Sequence, residues 1–112
     1  MYNTVIDIGK LKNYSDLAHD LAQTKRNALE KMRSRQIIAY NDRIFKADTQ
    51  TINVVQTFKS HSKTFYMLDV NDNPCYIEDA GEFLTLLIER NQETLNTYHQ
   101  LFEELKKKGT NV

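Results

Sequence analysis

The 112-residue sequence is poor in cysteine, proline and glycine, with one, one and three of them respectively. A lone cysteine, Cys75, cannot form an internal disulfide, which fits a reducing compartment. So few glycines and prolines exclude collagen-like and low-complexity chains. No apolar run approaches the roughly 20 residues that a membrane helix needs, and the first residues lack the pattern of a signal peptide. We therefore expect a soluble single domain made in the cytosol.

The chain also lacks an excess of either charge, because 15 basic residues balance 15 acidic ones. Such balance gives no electrostatic case for binding nucleic acid or an anionic membrane. A local basic face on the first predicted helix still supports an alternative function, that of a small nucleic-acid-binding or regulatory protein. Its residues are Lys25, Arg26, Arg33 and Arg35. Asp20 and Glu30 dilute this face and no aromatic platform accompanies it, so a solvated helix surface is the simpler interpretation.

Motifs for catalysis and metal binding are also missing from the sequence. The three histidines are scattered, whereas zinc ligands usually come in closely spaced pairs. The stretch Asp69-x-Asn71-x-Asn73 resembles the start of a calcium loop, but proline and alanine stand where that loop needs glycine and glutamate. It predicts a turn instead. No phosphate loop or nucleophile elbow is present. We expect no enzymatic activity, no metal and no cofactor.

The elements that remain predict an α+β fold, with a small antiparallel sheet of two hairpins packed on helices and a long C-terminal helix. Residues 1–14 are predicted as an arm with an edge strand at 2–8 and a connector at 9–14. The α+β core then spans 15–90, beginning with a helix from Ser15 to about Arg33. Asn41-Asp42 predicts a tight hairpin turn, and a second hairpin turns at 69–74. Asp48 and Asp79 are predicted N-caps of helices over 49–60 and 79–108.

The long C-terminal helix carries a heptad seam, with a single polar break at Asn91. The seam consists of Leu84, Ile88, Asn91, Leu95, Tyr98, Phe102 and Leu105. About 30 helical residues span about 45 Å, more than the roughly 35 Å diameter of a compact domain of this size. Residues 91–108 are therefore predicted to protrude or oligomerise. The predicted interface is Asn91, Leu95, Tyr98, Phe102 and Leu105. Its partner is either the first helix of the same chain, folded back antiparallel, or another chain.

The chain presents a characteristic succession of short motifs. They are Lys25-Arg26 in a helix, Ile37-Ile38-Ala39-Tyr40-Asn41-Asp42-Arg43-Ile44-Phe45-Lys46-Ala47-Asp48, Phe65-Tyr66-Met67-Leu68-Asp69, Asn73-Pro74 and the long helix from Asp79. This succession, over roughly residues 20 to 105, resembles a domain of unknown function from tailed-phage tail-fibre and fibre-assembly proteins. It implies a non-enzymatic phage protein that binds a tail fibre or tail component, as an assembly chaperone or small virion component. It also implies a location in the host cytoplasm during assembly or in the virion. No catalytic residues come with the resemblance. The homo-oligomer is a separate prediction, and it follows from the seam of the C-terminal helix.

Overall fold

The computed structural model describes the backbone of residues 8–108 and the side chains of residues 15–108. The elements in chain order are α1 (Ile8–Arg35), β1 (Ile37–Tyr40), β2 (Arg43–Lys46), α2 (Thr49–His61), β3 (Phe65–Leu68), β4 (Pro74–Ile77) and α3 (Ala80–Lys108). The predicted α+β class, with two hairpins and a long C-terminal helix, is confirmed. Most of the predicted edge strand at 2–8 lies outside the described residues, but Ile8 itself is helical.

The first helix begins earlier than predicted. Residues 9–14 belong to α1, so the predicted connector there is wrong and Ser15 is not an N-cap. The stretch before Ser15 contains one glycine and no proline, so nothing in it forces a break. A serine followed by an acidic residue is a common start signal, but such a residue can also sit inside a helix.

Each hairpin forms a separate two-stranded antiparallel sheet. In the first, Tyr40 pairs with Arg43 around a turn in which Asn41 and Asp42 have φ values of 51° and 60°. Positive φ at both central residues defines a type I′ turn, whose twist matches that of the paired strands. The Asn-Asp pair predicted a tight turn here. The two sheets meet where the backbone N–H of Val70 donates to the carbonyl of Ile44 at 2.9 Å.

Both predicted aspartate caps are present. The carboxylate of Asp48 accepts the backbone N–H of Thr51 at 2.8 Å, and that of Asp79 accepts the N–H of Glu82 at 3.1 Å. Each bond satisfies a donor that the first turn of a helix leaves free. Proline is absent from α3, so the helix runs unbroken for 29 residues.

The hydrophobic core lies between the two hairpins, α2 and the first half of α3. Its largest fully buried side chains are Phe45, Val55, Ile77, Phe83 and Leu87. The ring of Phe83 lies edge-on to those of Tyr40 and Phe45, with centroids 4.9 Å apart in both pairs. We call this part, residues 36–90, the head.

The remainder, α1 together with residues 91–108 of α3, is the stalk. The two helices are antiparallel, because Gln36, directly after α1, contacts Thr94 while Lys25 contacts Phe102. α3 ends at Lys108, only about two turns after Phe102. Since Lys25 lies beside Phe102, the part of α1 before about His19 extends beyond the end of α3. This offset gives the molecule its elongated shape, with extents of 73 × 23 × 21 Å.

Candidate interaction surfaces

The second half of α3 is covered by α1, so the first of the two partners considered for the heptad seam is present. Asn91 and Leu105 are only 6% and 7% exposed. Tyr98 and Phe102 are half-buried, and the ammonium of Lys25 lies 5.8 Å from the centre of the Phe102 ring. Leu95 remains 39% exposed. The predicted protruding half is therefore packed, and the five predicted interface residues do not form one surface open to a partner.

The polar break in the seam joins the stalk to the head. The side-chain amide of Asn91 donates to the carbonyl of Ala47 at 2.9 Å. One turn later, Thr94 accepts the side-chain N–H of Gln36 at 3.0 Å. Buried backbone carbonyls need a donor, and Asn91 supplies one. Asn91 thus fixes the position of α3 against the first hairpin of the same chain.

The four residues of the predicted basic face do not share one side of α1. Arg26 and Arg33 are about 20° apart around the helix, whereas Arg35 is about half a turn away from Arg26. Lys25 is half-buried over Phe102, and Arg26 donates to the side chain of Gln23 at 3.1 Å. A continuous strip of positive charge, which phosphate binding favours, is not formed by these four.

The second hairpin instead presents an apolar outer surface that the sequence reasoning missed. Phe65 and Met67 pack against the core, so the alternating Tyr66 and Leu68 point outward and are 69% and 56% exposed. On the paired strand, Pro74 lies opposite Leu68 and Tyr76 opposite Tyr66. The two tyrosine rings have centroids 5.2 Å apart. We call Tyr66, Leu68, Pro74 and Tyr76 the aromatic face.

A signal for this face was present in the sequence. A hairpin with one solvated side normally alternates apolar and polar residues. The run Phe65-Tyr66-Met67-Leu68 has no polar break, which indicates that both sides of β3 are apolar. Ile44 and Val70, which are 44% and 40% exposed, lie where the two hairpins meet.

Asp69 holds the turn beside the aromatic face. One oxygen of its buried carboxylate accepts the backbone N–H groups of Asn71 and Asn73 at 2.8 and 2.9 Å, and the other lies 3.2 Å from the guanidinium of Arg43. The pKa of Asp69 is lowered, and the hydrogen bond from the backbone of Asn73 is the largest cause. Desolvation by burial acts in the opposite direction, and the hydrogen bonds from Asn71 and Arg43 lower the pKa further. The predicted turn is confirmed, and its aspartate is engaged in folding the loop.

A groove runs along one side of the stalk between α1 and α3, with a volume of about 440 Å³. Its apolar lining residues are Ala28 and Met32 of α1 and Tyr98 and Leu101 of α3, and Thr94, Thr97 and Gln100 of α3 also line it. Lys31 and Arg35 border it on α1. Only Arg35 and Tyr98 belong to the residue sets predicted from the sequence, because the groove depends on which faces of two distant helices meet.

Comparison with models of known protein families found no match, and neither did comparisons with curated proteins and with solved structures. Within residues 8–108, no helix combines the length and apolar character required to cross a membrane. Over the same residues, histidine, cysteine, aspartate and glutamate form no cluster of three that could hold a metal ion.

Proposed function

We propose that this is a non-enzymatic phage protein that binds a tail fibre or another tail component, as a fibre-assembly chaperone or a small virion component. The observation that supports a binding role is the aromatic face on the head. The class of partner comes from the resemblance of residues 20 to 105 to tail-fibre and fibre-assembly proteins. The proposed partner contact is accordingly on the head, and not on the seam of α3.

The composition and rigidity of the aromatic face suit protein binding. Large apolar side chains that are exposed together cost free energy in water, and such patches commonly mark contact sites. Tyrosine is enriched in these sites because its ring buries much area while its hydroxyl remains able to hydrogen-bond. The turn at Asp69 and the strand pairing hold the four residues in place, so little conformational entropy is lost on binding.

Binding to purified fibre and tail proteins, taken from the neighbouring genes where these encode them, tests the proposal. Leu68→Asp and Tyr76→Ser alter the aromatic face at exposed positions, so the fold should remain intact. We expect each to weaken binding at least about tenfold, as measured by calorimetry with the purified partner.

Leu17→Asp is the matched control, because Leu17 is 50% exposed but lies on α1 in the stalk. It should leave affinity within about twofold of wild type. The proposed contact is wrong if the Leu68 and Tyr76 variants bind as well as wild type. The proposed partner class is wrong if no fibre or tail protein from the neighbouring genes binds the unaltered chain.

A further inference from the structure

We propose that the groove of the stalk binds an amphipathic helix from a partner protein, with acidic residues toward the head end and an apolar stripe along its length. Such a contact is distinct from the aromatic face and does not depend on the partner proposed above. The groove extends over residues 90 to 104 of α3, about four helical turns.

The apolar side chains that line the groove are incompletely covered. Met32 and Tyr98 are half-buried, and Leu101 is 37% exposed. Ala28 and Met32 are one turn apart on α1, as Tyr98 and Leu101 are on α3. Side chains repeating once per turn on two adjacent helices leave a channel into which the ridge of a third helix packs. The two antiparallel helices of the stalk thus resemble two helices of a three-helix bundle, and the groove corresponds to the position of the third helix.

The backbone around the groove selects a helix over an extended peptide. Both walls are helices, whose backbone N–H and C=O groups are paired internally along their length. An extended segment in the groove would find no strand edge to pair with, and its own backbone groups would lose water without gaining partners. A helical segment satisfies its backbone internally and needs only to bury its apolar stripe.

The charges along the groove define the chemistry of that helix. Lys31 and Arg35 are exposed on the α1 wall, and neither takes part in an ion pair among the side chains that the structure describes. Arg90 is engaged, since it donates to Glu93 at 2.6 Å and to the carbonyl of Ile37 at 3.0 Å. Glu104 borders the opposite end. A complementary helix therefore has carboxylates near the head and a basic residue near Glu104.

The probe is a labelled peptide of about 18 residues, long enough to span the groove. It carries leucines at i, i+3 or i+4, glutamates in one half and lysines in the other. Its control has the same composition with the apolar spacing scrambled. Fluorescence anisotropy measures binding to the full chain. We expect the first peptide to bind, and the scrambled one to bind at least about tenfold more weakly.

Two pairs of variants locate the contact. Leu101→Glu, in the groove, is compared with Leu95→Glu, which has similar exposure but lies about 120° around α3. Arg35→Glu is compared with Arg26→Glu, which makes the same charge change about half a turn around α1. The groove variants should weaken peptide binding about tenfold, and their controls less than about twofold. Helicity and thermal midpoint are checked for each, with Leu101→Ser and Arg35→Gln as substitutes if a first choice unfolds.

The proposal is overturned if the controls weaken binding as much as the groove variants, or if the leucine peptide shows no binding up to about 1 mM. It is also overturned if the wild-type chain dimerises in light scattering and Leu101→Glu makes it monomeric, because the occupant would then be a second copy. Leu68→Asp should leave peptide affinity unchanged. A failure of the fibre contact therefore does not count against the groove.

Discussion

The side chain of Asp69 is buried and negatively charged. Its hydrogen bonds, above all the one from the backbone of Asn73, lower its pKa and have the larger effect, whereas burial raises the pKa. Its side chain is 3% exposed, which by itself would favour the neutral acid. Two backbone N–H groups and the guanidinium of Arg43 stabilise the carboxylate instead, so its pKa lies below the ordinary value of 3.8. The charged form is thus the one that the turn requires.

This pKa shift predicts how stability depends on acidity. Because the folded-state pKa is below the unfolded one, the contribution of the Asp69 charge is fully present above the ordinary value of 3.8 and is lost as pH falls through the folded-state pKa. Asp69→Asn keeps an oxygen for the backbone donors but removes the charge. We expect this variant to have a lower urea midpoint than wild type at neutral pH and to lose less additional stability when the solution is acidified. Urea unfolding measured from neutral pH to below the ordinary pKa of 3.8 tests this.

Asp72→Asn provides the control, since it removes the same charge from an exposed residue of the same turn. Asparagine also tolerates the positive φ of 61° at that position. The stability of this variant should decrease on acidification as much as that of wild type. If Asp69→Asn loses as much stability on acidification as wild type does, the hydrogen-bonded carboxylate is not the acid-sensitive group.

Among the secondary-structure elements, those whose signals are local could be predicted from the sequence. Asp48 and Asp79 cap helices through bonds to residues three positions on. Asn41-Asp42 turns the first hairpin because both residues tolerate positive φ. The start of α1 could not be predicted in this way, because Ser15 and Asp16 are compatible with both a helix start and a helix interior.

The packing partner of the heptad seam illustrates a different limit. A 3-4 spacing specifies that another helix covers the stripe, but the same spacing serves pairing within a chain and between chains. Asn91 was equally ambiguous, because a polar residue in a seam can bond across an interface or, as here, to the carbonyl of Ala47 in its own chain.

The α1–α3 contact predicts unequal effects for two leucines of the same seam. Leu105 is 7% exposed near the end of α3, while Leu95 is 39% exposed. Leu105→Ala leaves a cavity beneath α1 and should cost about 2–4 kcal/mol in the free energy of unfolding. Leu95→Ala removes a side chain already partly in water and should cost less than about 1 kcal/mol. Urea unfolding monitored by circular dichroism measures both, and equal costs would contradict the assigned packing.

At the scale of the whole molecule, the overall dimensions are determined more by the stalk, with its offset helices, than by the head. The radius of gyration over Cα atoms is 21.2 Å, whereas a compact domain of this length has about 13 Å. The head alone could not produce this value, because the excess comes from the stalk and from the part of α1 beyond α3. The estimate that α3 exceeds a compact domain in length was sound, but the extension is a helix pair and not a single free helix.

Small-angle scattering should therefore distinguish the elongated chain from a compact one. For a sample that light scattering shows to be monomeric, we expect a radius of gyration of about 21 Å and a maximum dimension of about 73 Å. Leu105→Asp places a charge beneath α1 and should release the helix. Its α-helical content should fall and its scattering should indicate a flexible segment, while the near-ultraviolet dichroism of the head is retained. A wild-type monomer near 13 Å would mean that α1 folds over the head, which would remove the groove and cover other surfaces.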